Sequence, residues 1–161
     1  MKKKINIQFL IITLLAILTT VSLSIFVFYE LFKQEVMADL KTNTQLLVET
    51  DAWEQIVEKK DAGALDDGVK QLRLTLVDGT GEVILDTNAE VGSMDNHSAR
   101  PEISQALQTG EGQAIRQSST IGKNAFYYAI RLENGSVLRT AKEAGSITSV
   151  FESILPVIVI L

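Results

Sequence analysis

The chain has 161 residues, a formal net charge of −5 and no cysteine, which excludes disulfides, thiolate metal sites and thiol nucleophiles. It has one histidine, which leaves few side chains for metal or acid–base chemistry, and we expect neither a metal nor a cofactor. The segment from Glu30 to Glu152 holds all 20 acidic residues but only 12 of the 15 basic ones. Its net charge of −8 argues against nucleic acid as a partner.

The stretch from Ile5 to Tyr29 contains no charged residue and is long enough for a helix that crosses a bilayer. Lys2, Lys3 and Lys4 precede it, so the positive-inside tendency places the N-terminus in the cytoplasm and the following chain outside. A cleaved signal peptide is the alternative. Its apolar region is shorter and ends in small residues, whereas this run ends on bulky ones, so the sequence favours a retained anchor.

The next segment, from Leu31 to about Asp61, contains neither glycine nor proline and predicts a long helix that continues from the span. Its apolar side chains recur at intervals of four and seven residues: Phe32, Val36, Leu40, Leu46, Leu47 and Trp53. This stripe is either the face buried against the chain's own domain or a seam with a second copy. The seam predicts a homodimer through the membrane and the Leu31–Val57 helices.

After a loop, the apolar period changes to two from Leu72 to Val77, which predicts a half-buried strand. The glycine-rich segment Asp78–Gly81 then turns the chain into a returning strand at Glu82–Asp86, with Val83 and Leu85 facing inward. No Gly-Lys-Ser/Thr follows these glycines, so a hairpin turn is favoured over a phosphate-binding loop.

A short helix is predicted from Pro101 to about Leu107. Ser98 is the expected N-cap, and Glu102 complements the helix dipole in the first turn. Gly110 is expected to end the helix.

Three further strands are predicted: Gly112–Ser118, Ala125–Leu132 and Ser136–Lys142. Asn134-Gly135 predicts a tight hairpin between the last two. The strands and inserted helix together predict an α+β domain with a five-stranded antiparallel sheet.

The chain ends in an apolar run from Ile154 to Leu161, too short to cross a bilayer and therefore interpreted as the start of a second transmembrane helix. The predicted organisation has four parts: a basic leader and first span at 1–29, a long helix at 30–62, the α+β domain at 63–145, and a connecting helix with the second span at 146–161.

Four motifs follow one another in order along the domain. They are Asn96-His97-Ser98-Ala99-Arg100-Pro101-Glu102-Ile103, Arg116-Gln117-Ser118-Ser119-Thr120, the Tyr-x-Ala strand with Tyr127 or Tyr128 and Ala129, and Val137-Leu138-Arg139. Together they resemble the extracytoplasmic sensor region of bacterial membrane histidine kinases of the phosphate-regulon (PhoR-like) and cell-wall (WalK-like) type. The resemblance covers roughly Gln71 to Lys142.

This resemblance implies a PAS-like or Cache-like domain of a multi-pass protein of the bacterial cell membrane. Its signal, a small extracytoplasmic ligand or a partner membrane protein, would pass through the membrane helices to a cytoplasmic kinase and its cognate response regulator. The chain lacks a His-Glu-x-x-x-Pro phosphoacceptor box and a glycine-rich nucleotide lid, so we expect a sensor segment and no enzyme. The alternatives are another transmembrane receptor, such as a chemoreceptor or cyclic-dinucleotide enzyme, and an anchored binding protein without output.

The candidate ligand-binding residues are His97, Arg100, Arg116, Tyr127 and Arg139. Arginine forks suit carboxylate or phosphate, so two of them facing one pocket would form an anion site. The alternative is that the arginines, with Arg131, pair inside the fold with Asp86, Asp95 or Glu102. His97 either contacts a ligand or orders the loop before the helix. Tyr127 and Tyr128 are expected on opposite faces of one strand, one in the core and the other at the surface or a pocket wall.

Overall fold

The computed structural model describes residues 2–54, 72–117 and 124–143. It begins with one helix, α1, at Lys2–Glu49. Within the described residues, α1 is the one helix long and apolar enough to cross a bilayer, with an 18-residue window of mean hydropathy 2.6. The span predicted at Ile5–Tyr29 thus lies within a continuous helix. The second span predicted within 146–161 lies outside the described residues.

The end of α1 comes earlier than the sequence predicts, at Glu49 instead of near Asp61. Asp51 follows with a φ of 50°, in the left-handed region, which interrupts a right-handed helix. Residues 52–54 are helical again, and the rest of the predicted helix lies outside the described residues. Residues up to Val36 form one compact unit, and those from Met37 onward belong to a second.

A five-stranded antiparallel sheet forms the centre of the second unit, with strand order β2-β1-β5-β4-β3. The strands are β1 (Arg73–Val77), β2 (Val83–Asp86), β3 (Glu111–Gln117), β4 (Asn124–Arg131) and β5 (Val137–Glu143). A short helix, α2 (Pro101–Thr109), lies between β2 and β3 in the sequence, and a 3₁₀ turn at Val91–Ser93 precedes it. The predicted α+β fold is therefore confirmed.

Both faces of the sheet are covered by apolar contacts. On one face, Leu47 of α1 joins Leu74, Leu76 and Leu138 in a single cluster. On the other face, the α2 side chains Ile103 and Ala106 form a second cluster with residues of β1, β4 and β5: Val77, Ala129 and Val137.

The first strand is consequently buried on both sides, and its predicted half-buried character is wrong. Arg73 is 6% exposed and Thr75 is fully buried, although the alternation with leucine placed them on a polar face. Alternation reports only that the two faces differ in polarity. It does not report that other elements cover the polar face.

The returning strand β2 also departs from the predicted pattern. Leu76 pairs with Leu85 but Val77 pairs with Val83, so the register shifts and Ile84 has no partner in β1. Such an irregularity sends the residues on its two sides to opposite faces. Val83 joins the cluster that contains Ile103 and Ala106 of α2 (the α2 cluster). Leu85 packs against the cluster that contains Leu47 of α1 (the α1 cluster).

Two hairpin turns of the same form lie beside each other at one end of the sheet. In the β1–β2 turn, Gly81 N–H donates to the Asp78 carbonyl at 3.1 Å and has a φ of 91°. In the β4–β5 turn, Gly135 N–H donates to the Leu132 carbonyl at 3.0 Å and has a φ of 84°. Asn134 does not have the positive φ that a two-residue Asn-Gly turn requires, so the hairpin is confirmed but has a three-residue loop.

The helix α2 begins at Pro101 with Arg100 as its N-cap, and the predicted cap, Ser98, lies outside it. The backbone N–H at the first position of a helix has no acceptor within the helix, so proline, which lacks this N–H, loses no hydrogen bond there. The helix lies very close to β3, since a Cβ on Gly112 would be 2.0 Å from the Glu102 carbonyl oxygen. Glycine at 112 is therefore what allows α2 to approach the sheet.

Polar contacts attach the end of α1 to the opposite face of the sheet. The hydroxyls of Thr44 and Thr140, both fully buried, are 2.6 Å apart. Lys41 lies 2.8 Å from a carboxylate oxygen of Glu111, which also accepts the Tyr128 hydroxyl at 2.5 Å. Burial and the Glu111 carboxylate raise the pKa of Tyr128 to about 12, against the opposing effect of Lys41.

The apolar stripe of α1 contains both buried and exposed residues. Leu40 and Leu47 are buried, and Leu47 contacts the sheet cluster, so the domain-facing use is confirmed for that residue. Leu46 on another side of the helix is 54% exposed. It is a candidate for contact with a second copy.

Candidate functional site: a buried charge cluster

Glu102, in the first turn of α2, lies at the centre of a group of buried charges on the α2 side of the sheet. Its side chain is fully buried and contacts two arginines from the sheet. Arg116 on β3 donates from Nη2 to Oε1 at 2.7 Å and from Nε to Oε2 at 3.3 Å. Such a fork holds the carboxylate in a defined orientation.

Arg139 on β5 connects Glu102 to a second ion pair. It is 2% exposed, and its Nη1 donates to Glu102 Oε1 at 3.2 Å. Its Nη2 donates to the Thr75 hydroxyl at 2.8 Å, and that hydroxyl donates to Asp86 Oδ2 at 2.7 Å. Asp86 in turn accepts from Arg73 Nε at 3.0 Å. We call Arg73, Asp86, Glu102, Arg116 and Arg139 the charge cluster.

The ring of Tyr127, on β4, supports two of the guanidinium groups. The Arg116 Cζ lies 4.2 Å from the ring centroid, and the Arg139 Cζ lies 5.1 Å from it. Both distances are within the range of cation–π attraction. Tyr127 is 1% exposed, so this contact lies in a desolvated environment.

The pKa values of the cluster follow from its burial and its charges. Burial alone would raise the pKa of Glu102, but the hydrogen bond from Arg116 and the charges of Arg116 and Arg139 outweigh it and hold this pKa below its ordinary value. Burial lowers the pKa of Arg139, with Glu102 opposing this change and Arg73 adding to it. Glu102 is therefore an anion at neutral pH.

His97 lies in the segment that joins the β1–β2 turn to α2. Its backbone N–H donates to the Gly81 carbonyl at 2.6 Å, and the neighbouring Asn96 donates to the Thr80 carbonyl at 3.1 Å. A Cβ on Gly81 would lie 2.4 Å from the Ser98 nitrogen, so this docking also needs glycine at 81.

The imidazole of His97 is 3% exposed and neutral. Its Nδ1 lies 2.7 Å from the Asp95 carbonyl oxygen, which can only accept, so Nδ1 carries the proton. Burial lowers the pKa of His97, followed by the positive charges of Arg139, Arg100 and Arg116, while the Asp95 carbonyl opposes the change. This geometry matches the predicted role of ordering the loop before the helix.

The structure brings three of the five predicted site residues together, since Arg116, Tyr127 and Arg139 are in contact. His97 lies within electrostatic reach of Arg139. Arg100 is the half-buried N-cap of α2. The predicted pairing of arginines with Glu102 is confirmed for Arg116 and Arg139.

Sequence reasoning missed two members of the site, Arg73 and Thr75. The signal for them was the polar face of β1, interpreted as the solvent side. Asp86 was predicted to pair with an arginine, and its partner is Arg73. Tyr127 and Tyr128 lie on opposite faces of β4, as predicted. Both are buried, so the prediction that one of them lies at the surface is wrong. Within the described residues, no three His, Cys, Asp or Glu side chains could hold a metal ion.

Stability is expected to fall on acidification in two stages. The pKa of His97 is lowered in the folded state from its ordinary value of 6.5, so below that pH the unfolded chain binds this proton more readily than the folded chain does. The contribution of neutral His97 to the free energy of unfolding is therefore complete above pH 6.5 and is lost as the pH falls through the lower folded pKa. The contribution of Glu102 is complete above pH 4.5 and is lost as the pH falls through its lower folded pKa. Thermal unfolding of the full chain between about pH 7 and 2.5 measures both stages.

The His97→Gln variant separates the two stages. It is expected to remove the decline that begins near pH 6.5 and to keep the decline below pH 4.5. A wild-type melting temperature that stays constant between about pH 7 and 5.5 would contradict the first stage.

No protein-family model and no curated protein matches this sequence. Among solved structures, part of the fold is similar to the extracellular domain of the candidate histidine kinase rpHK1S-Z16, with a TM-score of 0.41 and 15% sequence identity. The similarity covers 48% of this chain and 33% of that one, so the chain spans about a third of its length. A likeness of this extent establishes no common family.

Proposed function

We propose that this chain is the extracytoplasmic signal-sensing input region of a membrane two-component sensor histidine kinase of the phosphate or cell-wall type. The kinase itself is expected in a cytoplasmic part beyond the chain. The observation that carries the proposal is the connection between the charge cluster and α1, the helix that is apolar enough to cross a membrane.

Adjacent residues on two central strands form this connection. On β5, Arg139 faces the charge cluster while Thr140 contacts Thr44 of α1. On β4, Tyr127 faces the cluster while Tyr128 donates to Glu111, the residue that pairs with Lys41 of α1. Because successive side chains of a strand point to opposite faces, movement of β4 or β5 at the cluster displaces the contacts of α1 directly.

Sequencing the gene beyond codon 161 tests the proposal. We expect a completed second membrane span followed by a His-Glu-x-x-x-Pro box and a glycine-rich nucleotide lid. A stop codon directly after Leu161 would contradict the kinase proposal and favour an anchored binding module. A different cytoplasmic output domain would favour another class of receptor.

We also propose that the chain forms a homodimer through its membrane span and the Leu31–Val57 segment. The heptad-like spacing of apolar residues along this segment supports the proposal, and the exposed Leu46 is the position in the stripe at which contact with a second copy can be tested. Single cysteines placed along α1 report on the seam, and the absence of native cysteine keeps each variant free of background.

Crosslinking in membranes is expected to peak at Leu46 and to recur every three or four residues, with minima at the buried Leu40 and Leu47. Crosslinks without this periodicity, or none at any position, would contradict the seam.

A further inference from the structure

Two buried guanidinium nitrogens in the charge cluster have no hydrogen-bond acceptor among the described residues. They are Nη2 of Arg73 and Nε of Arg139. Both side chains are more than nine-tenths buried, with 6% and 2% exposure. Buried donors without acceptors are rare in folded proteins, and those of a charged group are the most costly. The Arg73–Asp86 and Arg139–Glu102 pairs therefore leave part of each fork unused.

The two arginines are close neighbours on the same face of the sheet. Thr75 lies opposite Arg139, and Arg73 lies opposite Ala141, so the two arginines are diagonal neighbours on the adjacent strands β1 and β5. Diagonal neighbours of this kind lie roughly 7–8 Å apart at their backbones, within reach of long side chains. The two nitrogens without acceptors thus belong to neighbouring side chains on one face of the sheet.

Arg73 and Arg139 are also close in their charges. Arg73 pairs with Asp86, and Arg139 pairs with Glu102, which it shares with Arg116. Burial lowers the pKa of Arg139, and the positive charge of Arg73 adds to this change. An anionic acceptor beside both guanidinium groups would reduce this repulsion.

We infer that the charge cluster is a binding site for a small oxyanion, a carboxylate or a phosphate, whose oxygens accept hydrogen bonds from Nη2 of Arg73 and Nε of Arg139. The planar fork of arginine fits either group. Asp86 and Glu102 then serve to position the two forks. As an account of the signal, the inference rests on the proposed sensing function, whereas the binding event itself is independent of any kinase.

The test uses the full chain in detergent micelles and follows thermal unfolding by the fluorescence of Trp53, the single tryptophan, which packs against the α1 cluster. Sodium phosphate, acetate and malonate are titrated separately against sodium chloride at constant ionic strength. A ligand that binds only the folded state raises the melting temperature with its concentration. We expect at least one oxyanion to stabilise the chain beyond chloride. The comparison of phosphate with the two carboxylates identifies the class.

The Arg73→Lys variant removes Nη2 but keeps a positive charge that can pair with Asp86. We expect it to weaken oxyanion binding by about tenfold or more, as the loss of one charge-assisted hydrogen bond predicts. The matched control is Arg131→Lys on the exposed end of β4, where Arg131 donates to the Leu107 carbonyl, and it should bind like the wild type.

The inference is overturned if phosphate, acetate and malonate all stabilise the wild-type chain no more than chloride. It is also overturned if Arg73→Lys folds and binds the oxyanion as tightly as the wild type. Should that variant fail to fold, the wild-type titration still decides the question. A stop codon after Leu161 would remove the kinase proposal without affecting this binding result.

Discussion

Replacing Glu102 by alanine is expected to lower the free energy of unfolding by about 3–5 kcal/mol, as for other buried ion pairs that lose one partner. The Glu102 carboxylate is fully buried and accepts from both Arg116 and Arg139. Its removal leaves both guanidinium groups without this acceptor and without its negative charge. Most of the expected loss of stability thus comes from the buried positive charge that is left uncompensated, and less of it from the lost contact itself.

Urea unfolding of the full chain in micelles, followed by Trp53 fluorescence, measures this loss. Glu82→Ala is the matched control, because Glu82 has an exposed side chain next to β2 and should change stability by no more than about 0.5 kcal/mol. A loss below about 1 kcal/mol for Glu102→Ala would contradict the electrostatic account of the cluster.

A double-mutant cycle with Arg116→Ala tests the same account at the level of the pair. Arg116 is 18% exposed and holds both oxygens of Glu102, so the two substitutions are expected to be strongly non-additive. Additive losses would show that Glu102 contributes to stability through contacts other than this fork.

The sequence predicted the elements of the domain well, because local chemistry determines most of them. The leucines at 72, 74 and 76 have the period of a strand, and Pro101 and Gly110 mark the ends of α2. The end of α1 was not predictable in this way, because nothing in the residue type of Asp51 requires its left-handed φ.

The charge cluster was only partly predictable for a similar reason. Arg116, Arg139 and Glu102 were recognised as groups that could pair, since their chemistry is complementary. Which faces they share depends on the strand order and on where α2 lies, and neither follows from a local period. Arg73 was therefore assigned to solvent, although the same alternation places it on the face of β1 that α2 and Asp86 cover.

Gly112→Ala is expected to cost at least about 3 kcal/mol, near the upper end of overpacking effects. The new Cβ would lie 2.0 Å from the Glu102 carbonyl oxygen and 2.9 Å from the Ala106 nitrogen. Both are backbone atoms, which cannot rotate away as a side chain can, so α2 must move off β3. For a domain of this size, the loss corresponds to a fall in melting temperature of roughly 12 °C or more.

The matched control for this substitution is Gly92→Ala, because a Cβ on Gly92 meets nothing within 4 Å. Its effect should stay within about 0.5 kcal/mol. If α2 moves as expected, Gly112→Ala already draws Glu102 away from Arg116, and the double variant Gly112→Ala/Glu102→Ala should lose less stability than the sum of the two single variants. Additivity within about 0.5 kcal/mol would mean that the ion pair survives the displacement, and that the close approach at Gly112 does not hold Glu102 in place.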